Sequence, residues 1–323
     1  MTLFIRALLC GALLALAVDA HAQGWPSRPV KLIVPTGPGA ATDVMARLLS
    51  DGISRALGQT VVVENQAGAS GILAHQAVAR AAPDGYTFLF TNTSGMIFNP
   101  ISFKQLPYDP LRDFTPVASV CSQGPQMVSV NASVPARSVA ELIEYAKANR
   151  GKLSIAFDVT AGAAGVATRL FNKRADLGLT EVPYRSAAQM AQDAASGVNP
   201  VLMSSIAAAN AVVQAGKVRP LAVTSAKRFP GLPELPALNE TLPGVVVDGW
   251  FGVVAPAGTP PEIVARVNRE IGEFLKSPEI QQRLISFGLA TSGAGTPEST
   301  AELIREMQAH WRALARELDI QPQ

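Results

Sequence analysis

The sequence predicts an α/β fold of two hinged lobes with a ligand cleft between them. The chain has 323 residues, enough for about two domains, and 48% of them are hydrophobic, which permits a large core. Strand-like and helix-like segments alternate along most of the chain, as in sheets covered by helices. An apolar segment passes between two such units twice, near Val117–Val130 and near Val223–Val247. Ligands of open α/β sheets lie beyond the carboxyl ends of the strands, so we expect the site in this cleft.

The first 22 residues have the pattern of a secretory signal peptide. Arg6 precedes an apolar run from Ala7 to Val18, and small residues at Ala20 and Ala22 fit a cleavage site after Ala22. The apolar run is too short to span a membrane. We therefore expect a secreted chain that begins at residue 23.

Charge and cysteine content exclude some classes of protein. The formal net charge is +2, and removal of the signal peptide takes away one arginine and one aspartate, which leaves +2. Nothing in this balance indicates binding of nucleic acid or of an anionic membrane surface. Cys121 is the one cysteine after residue 22, so the secreted chain has no internal disulfide.

The N-terminal third predicts a βαβαβ unit with a parallel sheet. A helix follows the first strand and ends at Gly58, and a second helix ends before Pro83. The strands are VKLIVP, TVVVEN and YTFLFTN, and the helices are ATDVMARLLSDGISRALG and ILAHQAVARAA.

The middle of the chain predicts a second α/β unit. One of its helices has Ser138 as N-cap with Glu141 in the capping-box position. The strands are VASVC, QMVSVN, KLSIAF, LTEVPY, PVLMSS and VRPLAVTS, and the helices are SVAELIEYAKANR, GVATRLFNKRA, SAAQMAQDAASG and IAAANAVVQAGK. The strand-rich segment VVVDGWFGVVAP and three further helices end the chain. We therefore assign residues 23–124 and 248–323 to lobe one and residues 125–247 to lobe two.

The loop after the first strand is a candidate anion site. Gly37-Pro38-Gly39 resembles the start of a dinucleotide motif, but Thr42 replaces the third glycine and no Gly-Lys-Ser/Thr follows, which disfavours nucleotides. Unpaired N–H groups and the dipole at the following helix would hold a carboxylate. The alternative is an ordinary turn with Thr42 or Asp43 as N-cap. The candidate binding residues here are Thr36, Pro38, Gly39, Ala40, Ala41, Thr42 and Asp43.

A second loop in lobe two has the same strand-to-helix position. It is the stretch AFDVTAGAAG, residues 156–165, and two such loops facing each other would hold a dicarboxylate at its two ends; an ordinary turn is again the alternative. Its candidate residues are Phe157, Asp158, Val159, Thr160, Ala161, Gly162 and Ala163. Hydroxyls of Thr93, Ser94 and Tyr184 at predicted strand ends are further candidates, although such hydroxyls often bond only turn backbone.

Catalytic and metal-binding patterns are missing from the sequence. His75 and His310 lie within predicted helices and far apart, and no H-E-x-x-H, C-x-x-C or G-x-S-x-G pattern is present. We expect no catalytic residue, no metal and no cofactor, although pairs of aspartate and glutamate elsewhere in the chain leave enzyme activity open at this point.

The sequence resembles the substrate-binding proteins of tripartite tricarboxylate transporters, the Bug family, from about Trp25 to the C-terminal helix. The blocks that carry the resemblance include WPSRPVKLIVPTGPGAATDVMARLL, LGQTVVVENQAGASG, AAPDGYTFLF, NPISFKQLPYDPLRDFTPVA, VPYRSAAQM and GWFGVVAPAGTPPEIVARVN. The resemblance implies a two-lobed periplasmic binding protein of the Venus-flytrap type. It would close on a small carboxylate and pass it to a membrane permease. We expect a monomer.

The two loops follow the family pattern to different degrees. In the first, the residues that fit are Pro35, Pro38, Gly39, Thr42 and Asp43, whereas Thr36 replaces a common Phe and Ala40 replaces a common Gly. The second loop loses most of the family's glycines and hydroxyls.

Two departures bear on the ligand. Ser204 stands where relatives often carry Asp, and Asp158 beside Phe157 would oppose a second carboxylate at the second loop, unless Asp158 points into solvent. The sequence therefore favours a monocarboxylate or an amino-bearing acid over citrate. A sensor that signals to a membrane kinase, or a cleft enzyme, is the alternative function.

Overall fold

The computed structural model describes residues 24–157 and 162–322, which form two five-stranded sheets flanked by helices. The strands are β1 Val30–Val34, β2 Val61–Asn65, β3 Thr87–Asn92, β4 Phe114–Cys121, β5 Gln126–Asn131, β6 Ser154–Phe157, β7 Thr180–Pro183, β8 Val201–Ser205, β9 Val218–Val223 and β10 Phe251–Pro256. The helices are α1 Ala41–Leu57, α2 Ile72–Ala79, α3 Asn99–Ser102, α4 Val139–Ala148, α5 Ala163–Arg174, α6 Ala187–Ser196, α7 Ile206–Gln214, α8 Leu238–Thr241, α9 Pro261–Leu275, α10 Pro278–Ser286 and α11 Pro297–Glu317.

Both sheets are mixed. The strands β1, β2 and β3 pair in parallel, as the sequence predicts for the N-terminal third. The first has the order β2-β1-β3-β10-β4, and only β10 runs antiparallel to its neighbours. The second has the order β7-β6-β8-β5-β9, and β5 is its antiparallel strand. β5 and β10 are the strands that the chain enters after passing from one sheet to the other. The crossing reverses the chain direction, which a pattern of strands and helices does not reveal.

The two crossing segments meet through backbone hydrogen bonds. Val245–Trp250 has no regular secondary structure, so the strand expected from VVVDGWFGVVAP begins only at Phe251. The Val247 N–H donates to the Thr224 carbonyl at 2.9 Å, and the Gly249 N–H donates to the Gly124 carbonyl at 3.1 Å. The first bond lies within the connection after β9, and the second fastens that connection to the one between β4 and β5, at the place where a hinge is expected.

Local capping follows the sequence with one adjustment. The Ser138 hydroxyl caps α4 by accepting the Glu141 N–H at 3.2 Å, as predicted. The Glu141 carboxylate, however, accepts the N–H of Arg137 at 2.7 Å rather than that of the N-cap. The helix entrance is therefore fixed one residue earlier than in a standard capping box.

The C-terminal helix α11 joins the elements around both sheets. Its Trp311 packs on Phe98 with ring centroids 4.3 Å apart, next to the first sheet. At its end, Glu317 forms a two-pronged ion pair with Arg174 of α5, with oxygen–nitrogen distances of 2.7 and 2.8 Å. This helix thus contacts α5, which covers the second sheet.

Candidate functional site

The first loop connects β1 to α1 and leaves the start of that helix without a side-chain cap. The helix begins at Ala41 with Ala40 as its N-cap, so neither Thr42 nor Asp43 is the N-cap. Asp43 instead occupies the third helical position, where its Oδ2 accepts the Gly39 N–H at 2.8 Å. That bond holds the loop in its turn, with Gly39 at a positive φ of 82°.

The Asp43 carboxylate is fully engaged with protein donors. Its Oδ1 accepts a hydrogen bond from Asn65 at 2.8 Å, and the Arg47 guanidinium lies 3.0 Å away. Burial raises the pKa of Asp43, but the hydrogen bonds from Arg47, Asn65 and Gly39 outweigh burial and lower the pKa below its usual value. Asp43 therefore stabilises the loop that presents the N–H groups of α1.

Two helix N-termini stand out among the longer helices. In the described residues, α4, α6 and α11 are capped by Ser138, Ser186 and Thr296, and α9 begins with a proline. By contrast, α1 and α5 have no side-chain cap, and the N–H groups of their first three residues have no acceptor in the described part of the chain. Such N–H groups and the helix dipole favour an anion.

A cavity of about 400 Å³ lies between these loops. Its lining comprises hydroxyls, amides, glycines and apolar groups, and none of the described residues that line it carries a charge. The lining residues are Pro35, Thr36, Gly68, Ser70, Gly71, Asn92, Ser94, Phe98, Asn99, Ser102, Phe103 and Gly162. Gly162 is the N-cap of α5, so elements around both sheets contribute to this cavity.

Thr36 places an unused hydroxyl in the lining. Its Oγ1 is buried and has no hydrogen-bond partner among the described residues. A buried hydroxyl without a partner costs free energy, commonly about 1–3 kcal/mol. Thr36 thus contributes to the cavity wall and keeps its hydroxyl without a partner among the described residues.

The predicted site residues divide into three groups. Thr36, Ser94 and Gly162 line the cavity, and the loop residues Pro38, Gly39, Ala40, Ala41, Thr42 and Asp43, together with Ala163 of α5, lie next to them in sequence. Thr42 also accepts a hydrogen bond at 3.1 Å from the cavity residue Asn92. Asp158, Val159, Thr160 and Ala161 lie outside the described residues.

The remaining predicted side chains make other contacts. Thr93 is buried and bonds the backbone of Trp250, whose N–H donates to its Oγ1 at 2.7 Å. The Tyr184 hydroxyl donates to Asp193 at 2.5 Å. Two others are also buried: Phe157 belongs to the core, and the Ser204 hydroxyl donates to the neighbouring Ser205 carbonyl at 3.2 Å.

Sequence reasoning missed the segment that precedes α2. Gly68, Ala69, Ser70 and Gly71 all have positive φ, of 136°, 47°, 56° and 83°. A run of four such residues, two of them not glycine, is costly and marks a segment held by its surroundings. The small residues of QAGASG were the available signal.

Hydrogen bonds from buried polar side chains hold the segment Gly68–Gly71 in place. His75 bonds the Gly71 carbonyl and the Thr91 hydroxyl, each at 2.8 Å, and burial lowers its pKa to about 4. Asn99 donates to the Ser70 carbonyl at 3.1 Å. The neutral His75 therefore positions the cavity wall.

The described residues contain no group of three or more histidine, cysteine, aspartate or glutamate side chains arranged to hold a metal ion. Within the same residues, no helix combines the length and apolarity needed to cross a bilayer.

Comparison with known sequences identifies the relatives of this chain. The model of the family described as "Tripartite tricarboxylate transporter family receptor" matches residues 45–320. A protein of Bordetella bronchiseptica is 38% identical over 319 residues, which cover 98% of this chain and 93% of the relative. The protein BugT of Bordetella pertussis is 33% identical over 304 residues, 94% of this chain and 93% of BugT.

Solved structures share the fold over almost the whole chain. A Rhodopseudomonas palustris protein solved with adipate has a TM-score of 0.79 at 36% identity and covers 93% of this chain and 100% of its own. The periplasmic binding protein BugD has a TM-score of 0.74 at 30% identity, with coverages of 93% and 100%. The protein MatC of Rhodopseudomonas palustris, solved with bound malate, has a TM-score of 0.72 at 29% identity, with coverages of 90% and 99%.

Proposed function

Because the chain belongs to the receptor family of tripartite tricarboxylate transporters, we propose that it captures a small carboxylate-bearing solute in the cavity beside Thr36 and delivers it to a membrane permease. The observation that carries this proposal is the uncharged cavity lined by Thr36, from the loop before the uncapped helix α1, and by Gly162, the N-cap of the uncapped helix α5. A carboxylate there gains N–H donors that the protein itself leaves unused.

The proposed mechanism is closure of the two lobes on the ligand. The first loop and the N-terminus of α1 follow β1 of the first sheet, whereas Gly162 and α5 follow β6 of the second sheet. A carboxylate that contacts both sides stabilises the closed arrangement over the open one, and the crossing segments near Gly124 and Gly249 act as the hinge. Closure is then the signal that a permease recognises.

The relatives support the chemical class of the ligand. One solved neighbour holds adipate and another holds malate, and both molecules are carboxylates. In this chain, the hydroxyls of Thr36, Ser70 and Ser94 in the lining supply further hydrogen-bonding groups for such a ligand. The site residues proposed here are therefore those of the first loop, Ser94, and the start of α5.

Location and domain boundaries complete the proposal. The apolar run at Ala7–Val18 supports export to the periplasm with cleavage after Ala22, and BugD is described as a periplasmic binding protein. The two sheets divide the chain between Cys121 and Gln126 and again between Val223 and Phe251. These limits support the assignment of residues 23–124 and 248–323 to one lobe and 125–247 to the other.

The ligand itself is to be found by two measurements. Mass spectrometry of the protein purified from its host under native conditions should detect a copurifying organic acid. Thermal shift against a panel should then give larger stabilisation by monocarboxylates or amino-bearing acids than by citrate. Stabilisation by citrate alone would contradict that preference, and turnover of the bound compound would contradict the binding role.

A further inference from the structure

A second cavity, of about 270 Å³, lies beside the first. Phe98 and Ile101, from the segment after β3, line one side of it, and Trp311 and Ala315 of α11 also line it. Val166 of α5 supplies another apolar wall. The cavity therefore lies between elements of both sheets and has a mostly apolar interior. We refer to it as the distal cavity.

The distal cavity continues the first cavity along one face of α5. Phe98 and Ser102 line both cavities, so they form the boundary between the two spaces. Gly162, Val166 and Arg169 follow the spacing i, i+4 and i+7, which places them on one side of the helix over about 10 Å of its axis. Gly162 lines the first cavity, and Val166 and Arg169 line the distal one.

Arg169 gives the far end of this path a positive charge. It is the one cationic side chain among the described residues that line either cavity. Its ion pair with Glu181 is long, at 3.7 Å, and the other Glu181 oxygen accepts a hydrogen bond from Asn172 at 3.1 Å. The acidic group on the rim, Asp319, is exposed and accepts a hydrogen bond from Gln321 at 2.6 Å.

We propose that the distal cavity extends the binding site, so that the protein selects an elongated acid whose apolar chain lies between α5 and Trp311 and whose far carboxylate faces Arg169. This proposal rests on the proposed function, because the near carboxylate occupies the cavity beside Thr36. The second carboxylate of such a ligand faces Arg169, about two helical turns along α5 from Gly162.

Chain length is the property that the distal cavity controls. Each methylene group buried in an apolar site strengthens binding by about threefold to fourfold. A short diacid leaves the distal cavity empty and cannot reach Arg169. Affinity should therefore rise along a series of straight-chain dicarboxylates until the chain spans both cavities, and then fall.

Calorimetric titration of the purified protein with the dicarboxylates from succinate to sebacate tests this directly. We expect at least a tenfold gain in affinity between succinate and the best longer acid. In Ala315→Phe, which fills the distal cavity, that gain should disappear while succinate binding is unchanged. Ala313→Phe adds the same ring on the exposed face of α11 and should keep the gain.

A second variant tests the charged end without filling the cavity. Arg169→Met keeps most of the side-chain volume and removes the charge. It should weaken binding of the best long diacid about tenfold and leave the monocarboxylate of equal length unaffected. Melting temperatures of all variants show whether each one folds.

Two kinds of failure are distinguishable. Affinities that are independent of chain length, or equal in Ala315→Phe and Ala313→Phe, would overturn the extended site while leaving the carboxylate receptor in place. If no carboxylate of any length binds to the folded protein, the proposed function itself fails.

Discussion

The Asp248 carboxylate accepts the N–H of Gly124 at 2.7 Å and so joins the two segments that cross between the sheets. Gly249, the next residue, also donates to the same oxygen, at 3.1 Å. A Cβ atom on Gly249 would lie 2.9 Å from the Gly124 carbonyl oxygen, so the two backbones approach as closely as glycines allow. At the expected hinge, this acidic side chain thus adds to the backbone hydrogen bond between Gly249 and Gly124.

Asp248→Asn should remove a pH dependence of stability. Burial raises the pKa of Asp248 to about 7, despite the opposing hydrogen bonds from Gly124 and Gly249. The folded state therefore binds a proton more tightly than the unfolded state, and this group's contribution to stability falls as pH rises from about 4 to about 7. An amide oxygen accepts the same N–H groups at every pH. Urea unfolding at several pH values between 5 and 8 measures the effect.

Comparing wild type with Asp248→Asn isolates the effect of the Asp248 carboxyl group on stability. We expect the free energy of unfolding of Asp248→Asn, relative to wild type, to increase by on the order of 1–3 kcal/mol between pH 5 and pH 8. His75 acts in the opposite direction, because its lowered pKa makes folding less favourable as pH falls through about 6.5 toward 4, but it is present in both proteins. A constant difference across this range would contradict the role of Asp248.

Thr36→Val should weaken ligand binding without loss of stability. Thr36 lines the cavity, and its hydroxyl is buried with no partner among the described residues, so valine removes a polar atom beside the proposed site without breaking a described hydrogen bond. Loss of one neutral hydrogen bond should reduce affinity for the copurifying acid by about threefold to tenfold. Thr300→Val is the matched control, because the Thr300 hydroxyl is equally unpartnered in the described residues but lies in α11, away from the cavity lining. Equal affinities of the two variants would exclude Thr36 as a ligand contact.

Asp43→Asn should destabilise the first loop. An amide nitrogen in place of one carboxylate oxygen would face the donors of Arg47 or Asn65, so at least one hydrogen bond is lost. We expect a decrease in the free energy of unfolding of about 1–3 kcal/mol at pH 7. Because the pKa of Asp43 is lowered in the folded protein, its contribution is present above its unfolded pKa and is lost as the solution is acidified. Asp51→Asn, at an exposed position of α1, should be nearly neutral in the same denaturation measurement.

Two helical glycines should respond in opposite directions to alanine. A Cβ at Gly272 in α9 would lie 3.7 Å from Ala294, an ordinary contact, so Gly272→Ala should stabilise the protein by about 0.5–1 kcal/mol. A Cβ at Gly52 in α1 would overlap the ring of Phe274, so Gly52→Ala should be destabilising. Melting temperatures of the two variants should therefore move apart, and a rise in both would show that Phe274 relocates easily.

Local sequence patterns predicted most of the elements but not how they combine. The α/β alternation and the end of α1 at Gly58 depend on neighbouring residues, and the structure confirms them. The reversed direction of β5 and β10 depends on the path between the two sheets. The role of Asn99 depends on a contact with Ser70, 29 positions away in sequence, and no spacing rule reports such a contact.

The candidate site shows the same limit at the level of side chains. The sequence made Thr36 a candidate as a residue of the first loop and Tyr184 a candidate as a hydroxyl at a predicted strand end. The structure leaves the Thr36 hydroxyl without a partner in its described residues, whereas the Tyr184 hydroxyl bonds Asp193 and Asn199 within its own unit. The difference between the two hydroxyls depends on hydrogen-bond partners that other parts of the chain supply, one acceptor and one donor in the case of Tyr184.

The position of β10 between β3 and β4 also has a consequence for folding, because the last strand of the chain belongs in the interior of the first sheet. The first sheet stays incomplete until residues 251–256 have been synthesised, because these residues form β10, which pairs with both β3 and β4. The second sheet uses only residues 126–223 and is complete much earlier. Non-local pairing of this kind is slow and leaves strand edges unpaired in the meantime. Until residues 251–256 are available, β3 and β4 therefore lack the strand that joins them, whereas every strand of the second sheet is already present.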